Sequence, residues 1–165
     1  MWLVDASDFE GLDGRVAALG RPRAVLQLLD RHDRDGAAIA DRLGVPLLVM
    51  PEELPGTPFE VVPVPAVPGW REVALWWPER RTLVVADAVG TAAYYVAPGR
   101  RLGVNPVMRL FRPPKTLLRF EPEHVLVGHG GGLHENATEE LRLAVRHARR
   151  DLPRVVPKLF RAGRG

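Results

Sequence analysis

The strongest constraint on this chain is a series of short apolar runs, each ending at a charged, histidine-bearing or glycine-rich stretch. The runs are WLVD (2–5), AVLQLL (24–29), VPLLVM (45–50), FEVVPV (59–64), EVALWW (72–77), TLVVA (82–86) and HVLVG (124–128). Short apolar runs bounded by turn signals read as buried strands. Helical patterns separate several of them. Ser7 and Glu10 fit a capping box opening a helix that runs to Leu19 and stops at Gly20. After the polar turn DRHDRDG, a helix over 36–43 carries Ile39 and Leu43 on one face, and Gly44 closes it. Residues 136–152 predict the best helix: Leu141, Val145, Ala148 and Leu152 form one stripe, with Arg142, Arg146, Arg149 and Arg150 largely off it. Residues 88–115 read as irregular and 116–120 as a single helical turn. Strands alternating with helices define an α/β fold.

A chain of 165 residues, 46% of them apolar, can bury a core. One domain is expected over 1–152, followed by a basic tail over 153–165. No run approaches the roughly 18 apolar residues a spanning helix needs, so no membrane partner is expected. The absence of cysteine excludes disulfides, thiolate ligands and a cysteine nucleophile. The first residues lack the charged, apolar and small-residue regions of a signal peptide, so the expected location is cytoplasmic. Net charge is +3, yet residues 137–165 hold eight basic and three acidic side chains. A nucleic-acid partner would rest on those arginines alone. No aromatic set interleaves with them to stack on bases, so a solvated face is the better reading.

In open α/β sheets, ligands sit beyond the carboxyl ends of strands. Three such ends carry chemistry here: Asp30-Arg31-His32-Asp33-Arg34-Asp35 after 24–29, Asp87 after 82–86, and His129 within Gly128–Gly132. If those strands are neighbours, His32, Asp87 and His129 converge. Two imidazoles and a carboxylate suit a divalent transition metal. Simpler readings stand beside this one. Asp87 could cap a turn, and the glycine run could serve only as a turn of positive φ. No Lys-Ser/Thr follows those glycines and no G-x-G-x-x-G occurs, which argues against a phosphate loop. His124, His134 and His147 read as surface or helix residues. Trp76 and Trp77 are adjacent on a strand and so point to opposite faces.

Four segments in order, LVDAS (3–7), AVLQLLDRHDRDGAAIADRLGVPLLV (24–49), VPGWREVALWWPERRTLVVADAVGT (67–91) and HVLVGHGGGLHENATEELRLAV (124–145), resemble the metallo-β-lactamase-fold superfamily, which includes glyoxalase II-like hydrolases. The resemblance implies a metallo-β-lactamase-like αββα sandwich in a short form. The family's opening strands are missing, which leaves a sheet edge that a second copy could cover. It also implies a site. His32 stands at the second His of the family's His-x-His-x-Asp-His motif, Asp87 at the metal-bridging Asp and His129 at the final His. Asp30 and Asp35 replace histidines and could still offer oxygen. Arg34 replaces the motif's Asp and Trp70 the third His, and neither can ligate. Arg34 carries a fixed charge that could stand in for a second cation by pairing with Asp87 or Asp35. Trp70 could fill the void of the lost ligand or be ordinary core.

The implied cofactor is one divalent metal (Zn, Fe or Mn) or none. The implied function is a degenerate, catalytically inactive or altered relative serving binding or assembly. One alternative is a mononuclear hydrolase acting on an ester, thioester or phosphodiester. The other is nucleic-acid binding through the C-terminal arginines. No motif identifies a small-molecule ligand.

Overall fold

The computed structural model describes residues 1–32, 35–65 and 67–162, with side chains described through Val155. Arg34, expected to lie in the pocket, falls outside the described residues. The chain forms two compact units, Met1–Glu52 and Glu53–Gly165.

The first unit is a parallel three-stranded sheet crossed by two helices. Its strands β1 (Trp2–Val4), β2 (Ala24–Gln27) and β3 (Leu47–Val49) lie in the order β1-β2-β3. Helix α1 (Leu12–Leu19) connects the first pair and α2 (Gly36–Leu43) the second. Leu12 and Val16 of α1 pack with Ile39 and Ala40 of α2 and Val25 of β2. Helix α2 spans the expected residues, and Gly44 ends it in the left-handed conformation (φ 63°).

The start of α1 departs from expectation. It begins at Leu12 behind Gly11, with no side-chain cap, so the Ser7–Glu10 capping box does not form. The reason lies in the intervening residues. Arg42 grips Asp8 with two hydrogen bonds of 2.8 and 2.9 Å, and the Asp8 amide donates to Asp35 Oδ2 at 2.8 Å. Those bonds hold 7–10 outside the helix.

The second unit centres on a mixed sheet of β4 (Glu60–Pro65), β5 (Arg71–Trp77), β6 (Thr82–Val85) and, last in the chain, β9 (His124–Val127), in that spatial order. Strands β4, β5 and β6 are antiparallel neighbours, whereas β9 runs parallel to β6 with Val85 opposite Val127. The segment read as irregular contains a small ladder of β7 (Val89–Gly90) with β8 (Gly103–Val104), and the helix α3 (Pro106–Leu110). Residues Lys115–Arg119 form a 3-10 turn, as expected nearby.

Trp76 and Trp77 do face opposite ways. Trp76 packs on Phe120 (centroids 4.9 Å) beside the core, while Trp77 meets Phe59 edge-on at 5.5 Å.

The single helix expected over 136–152 is two helices, α4 (Ala137–Arg146) and α5 (Ala148–Ala162), separated at His147. Arg100 Nη2 meets His147 Nδ1 at 2.6 Å at the break. Helix α5 does not stop at Pro153. A proline inside a helix forfeits one backbone hydrogen bond, but Asp151 and Val155 are buried on either side of it, and that packing carries the helix through.

Candidate functional site

The second unit brings two of the expected residues together. Because β6 and β9 are parallel neighbours in register, their carboxyl ends lie side by side. Asp87 leaves the end of β6 and His129 the end of β9. The Gly128 amide ties the two ends by donating to the Val85 and Ala86 carbonyls. His129 Nε2 lies 3.0 Å from Asp87 Oδ1. Its other ring nitrogen, Nδ1, is 2.9 Å from the Tyr94 hydroxyl. Tyr95 stacks on the same imidazole, centroids 5.7 Å apart and planes 23° off parallel. The His129 carbonyl accepts from the Thr91 and Ala92 amides, fixing the backbone too. The glycine after it is required: Gly130 has φ 102°, and a Cβ there would lie 2.2 Å from Thr91 Oγ1.

Asp87 is held from behind. Glu72, on β5 and 3% exposed, accepts the Asp87 and Ala88 amides on Oε1, both at 2.9 Å. Its Oε2 accepts the Trp70 indole N–H at 2.9 Å. Burial pushes the Glu72 carboxyl up to about 7, against the opposing pull of its three donors. Tyr95 donates to the Asp87 carbonyl at 3.0 Å and accepts from Asn105 at 3.1 Å. Burial, reinforced by the Asp87 charge, drives the Tyr95 phenol above its ordinary range, so it stays a neutral donor.

In the first unit His32 is buried and pairs with Asp5, Nδ1 to Oδ2 3.4 Å. Asp5 follows β1 with φ 44°, a conformation more accessible to Asp than to most residues. Its Oδ1 accepts the Leu28 amide at 3.0 Å, so the carboxylate is oriented on both sides. Asp30 and Asp35 are engaged elsewhere. Asp30 pairs with Arg31 at 3.5 Å, and Asp35 accepts the Asp8 amide. Trp70 packs against the core of the second unit while donating to Glu72, so it is both filler and brace.

The sequence reading missed Glu72, Tyr94, Tyr95 and Asp5 as site residues. A signal existed for Glu72: it is an acid heading an otherwise apolar strand. Asp5 was visible as the strand-ending Asp of LVDAS. The tyrosines carried none, because their roles depend on a fold-back across 35 residues.

The donor set fits a metal. A ligating histidine normally uses one ring nitrogen and has the other hydrogen-bonded to an oxygen, which fixes tautomer and ring direction. His129 has Tyr94 on Nδ1, which leaves Nε2, 3.0 Å from Asp87 Oδ1, as its ligating atom.

No protein-family model and no curated protein matches the chain. Solved structures do resemble it. TTHA1623 in a di-iron-bound form aligns with a TM-score of 0.52 at 21% identity, over 79% of this chain and 82% of that one. The metallo-β-lactamase TMB-1, studied for substrate and inhibitor binding, aligns at 0.51 and 12% identity over 89% and 80%. The apo state of the chemotaxis sensor ODP from T. denticola aligns at 0.50 and 13% identity over 87% and 80%. At these identities the likeness is one of fold: a mixed α/β fold shared with a metallo-β-lactamase and a di-iron protein.

Proposed function

We propose that this chain is a short metallo-β-lactamase-like αββα sandwich holding one divalent transition-metal ion (Zn, Fe or Mn) at Asp87 and His129, and that the site serves ligand binding rather than turnover. The observation that carries the reading is the clamp on His129. Tyr94 occupies Nδ1 and Asp87 stands beside Nε2, an arrangement suited to ligation by the pair.

The reduction to one ion follows from where the other candidates are spent. Asp30 is on Arg31, Asp35 is on the Asp8 amide, and Trp70 offers only a donor. Arg34 brings a permanent positive charge to the motif position where the resembled family has an acid. In their place the chain's own residues do positional work. Glu72 fixes the Asp87 turn, and Tyr95 covers one face of His129.

A bound ion would supply Lewis acidity and an acidified water. Asp87 and His129 leave coordination positions open for water, which favours mononuclear hydrolysis as the second reading.

Elemental analysis of purified protein should find about one Zn, Fe or Mn per chain, falling to near zero in both Asp87→Ala and His129→Ala. Wild-type protein that carries no metal and takes none up on dialysis would overturn the proposal. Turnover of p-nitrophenyl acetate or bis(p-nitrophenyl) phosphate by the loaded protein, lost in the same variants, would replace ligand binding by the hydrolase reading.

A further inference from the structure

Helix α3 is amphipathic the wrong way round. Met108 and Arg109 face inward and are 0% and 1% exposed, whereas Val107, Leu110 and Phe111 just beyond it are 46%, 54% and 60% exposed. Positions 107, 110 and 111 share one helical face, so the outward stripe is the apolar one.

The helix cannot roll to bury it. Asn105 caps the first turn by accepting the Val107 amide at 3.0 Å, and Pro106 opens it. The Arg109 guanidinium is fixed inside, donating to the Val104 carbonyl at 2.7 Å and to the Tyr95 carbonyl. The helix also packs against α5. An exposed apolar cluster maintained by buried hydrogen bonds marks an interaction surface.

The surroundings of the stripe indicate its partner. Two adjoining clefts, of about 340 and 330 Å³, share Pro113, Lys115 and Arg149 in their walls. Arg112 lines one and Arg146 the other, Phe111 forms part of the first, and neither wall contains an acid. Among the described residues, several surface arginines elsewhere on this chain are matched, although others, such as Arg15, Arg71 and Arg80, are not, so what sets this face apart is the clustering of its cations in walls without an acid. Arg42 pairs with Asp8 and Asp13, Arg81 with Glu123, Arg101 with Glu135 and Arg142 with Glu121. Among the described residues, Arg112, Lys115, Arg146 and Arg149 have no such acidic partner. An exposed Leu–Phe ridge bordered by unmatched cations is the chemistry of a surface that sits at the headgroup boundary of an anionic bilayer.

We propose that this face docks the protein peripherally on anionic lipid, with Leu110 and Phe111 entering the acyl boundary and the four cations meeting headgroup phosphates. That no helix among the described residues is long and apolar enough to cross a membrane does not bear on such a contact. Nucleic acid fits less well, because it offers the phosphates but nothing for the apolar ridge.

The test is co-sedimentation of the full chain with vesicles of phosphatidylglycerol and phosphatidylcholine (1:1) and of phosphatidylcholine alone. Binding is expected to the first, with little to the second, and to weaken as salt rises. Removing a cation near an anionic surface weakens partitioning about fivefold, so Arg146→Ala/Arg149→Ala should lose on the order of 25-fold. Leu110→Ser/Phe111→Ser should also lose binding while melting at the wild-type temperature, since both side chains are exposed. Three results would overturn the proposal. One is no binding to the anionic vesicles. Another is equal binding by the arginine variant. The third is duplex DNA, or a second copy of the chain in light scattering, taking up the same face with an affinity above that for vesicles.

Discussion

Glu72 offers the sharpest test of how the Asp87 turn is built. Its carboxylate satisfies three donors, two backbone amides on Oε1 and the Trp70 indole on Oε2, while 3% exposed. Glu72→Gln keeps an oxygen for the two amides but presents an NH2 group to the indole N–H, so donor meets donor. An unsatisfied buried donor costs about 1–3 kcal/mol. Against this, the substitution removes the penalty of burying a charge.

That penalty sets a pH signature. The folded carboxyl sits at about 7 against an ordinary value of 4.5. Below 4.5 the group is protonated in both states and costs nothing. Between 4.5 and 7 the unfolded chain releases its proton first, so stability falls as pH rises, by about 3 kcal/mol across the window at 1.36 kcal/mol per unit. Above 7 this contribution is level. Urea unfolding of chelator-treated protein, followed by tryptophan fluorescence from pH 4.5 to 8, should show that decline in the wild type and its absence in Glu72→Gln. Trp70→Phe/Glu72→Gln removes the clashing donor and should recover at least about 1 kcal/mol relative to Glu72→Gln alone. A Glu72→Gln profile that keeps the wild-type slope, or strictly additive energies in the double variant, would refute the brace.

Other consequences are simpler to measure. Tyr94→Phe removes the partner of His129 Nδ1 and should weaken metal affinity, read by competition with a chelating dye, by about 10–100-fold with little change in melting temperature. Gly130→Ala forces a Cβ to within 2.2 Å of Thr91 Oγ1 at φ 102°, so a loss of more than about 1 kcal/mol in urea unfolding is expected. Pro153→Ala restores the hydrogen bond that α5 lacks at an exposed position and should raise the melting temperature, with a gain bounded by the roughly 3 kcal/mol proline penalty.

The sequence determined what is periodic and local. Helix 36–43 with its Gly44 cap was readable to the residue, because apolar spacing and a left-handed terminator are both encoded within one turn. The strand cores were readable for the same reason, and with them the positions of Asp87 and His129 at strand ends. Where local signals competed with distant partners, the distant partners decided. Arg42 drew Asp8 away from a capping box that the spacing of Ser7 and Glu10 favoured. Burial of Val155 and Asp151 carried a helix past Pro153.

Only the tertiary structure decided that β9 lies beside β6, since strand pairing across 38 intervening residues leaves no trace in either segment. That single pairing sets His129 against Asp87, places Tyr94 on the imidazole and turns Glu72 from a strand residue into a brace. Hydrogen bonds and ion pairs depend on separations through space, and a linear string fixes those only after the chain has closed on itself.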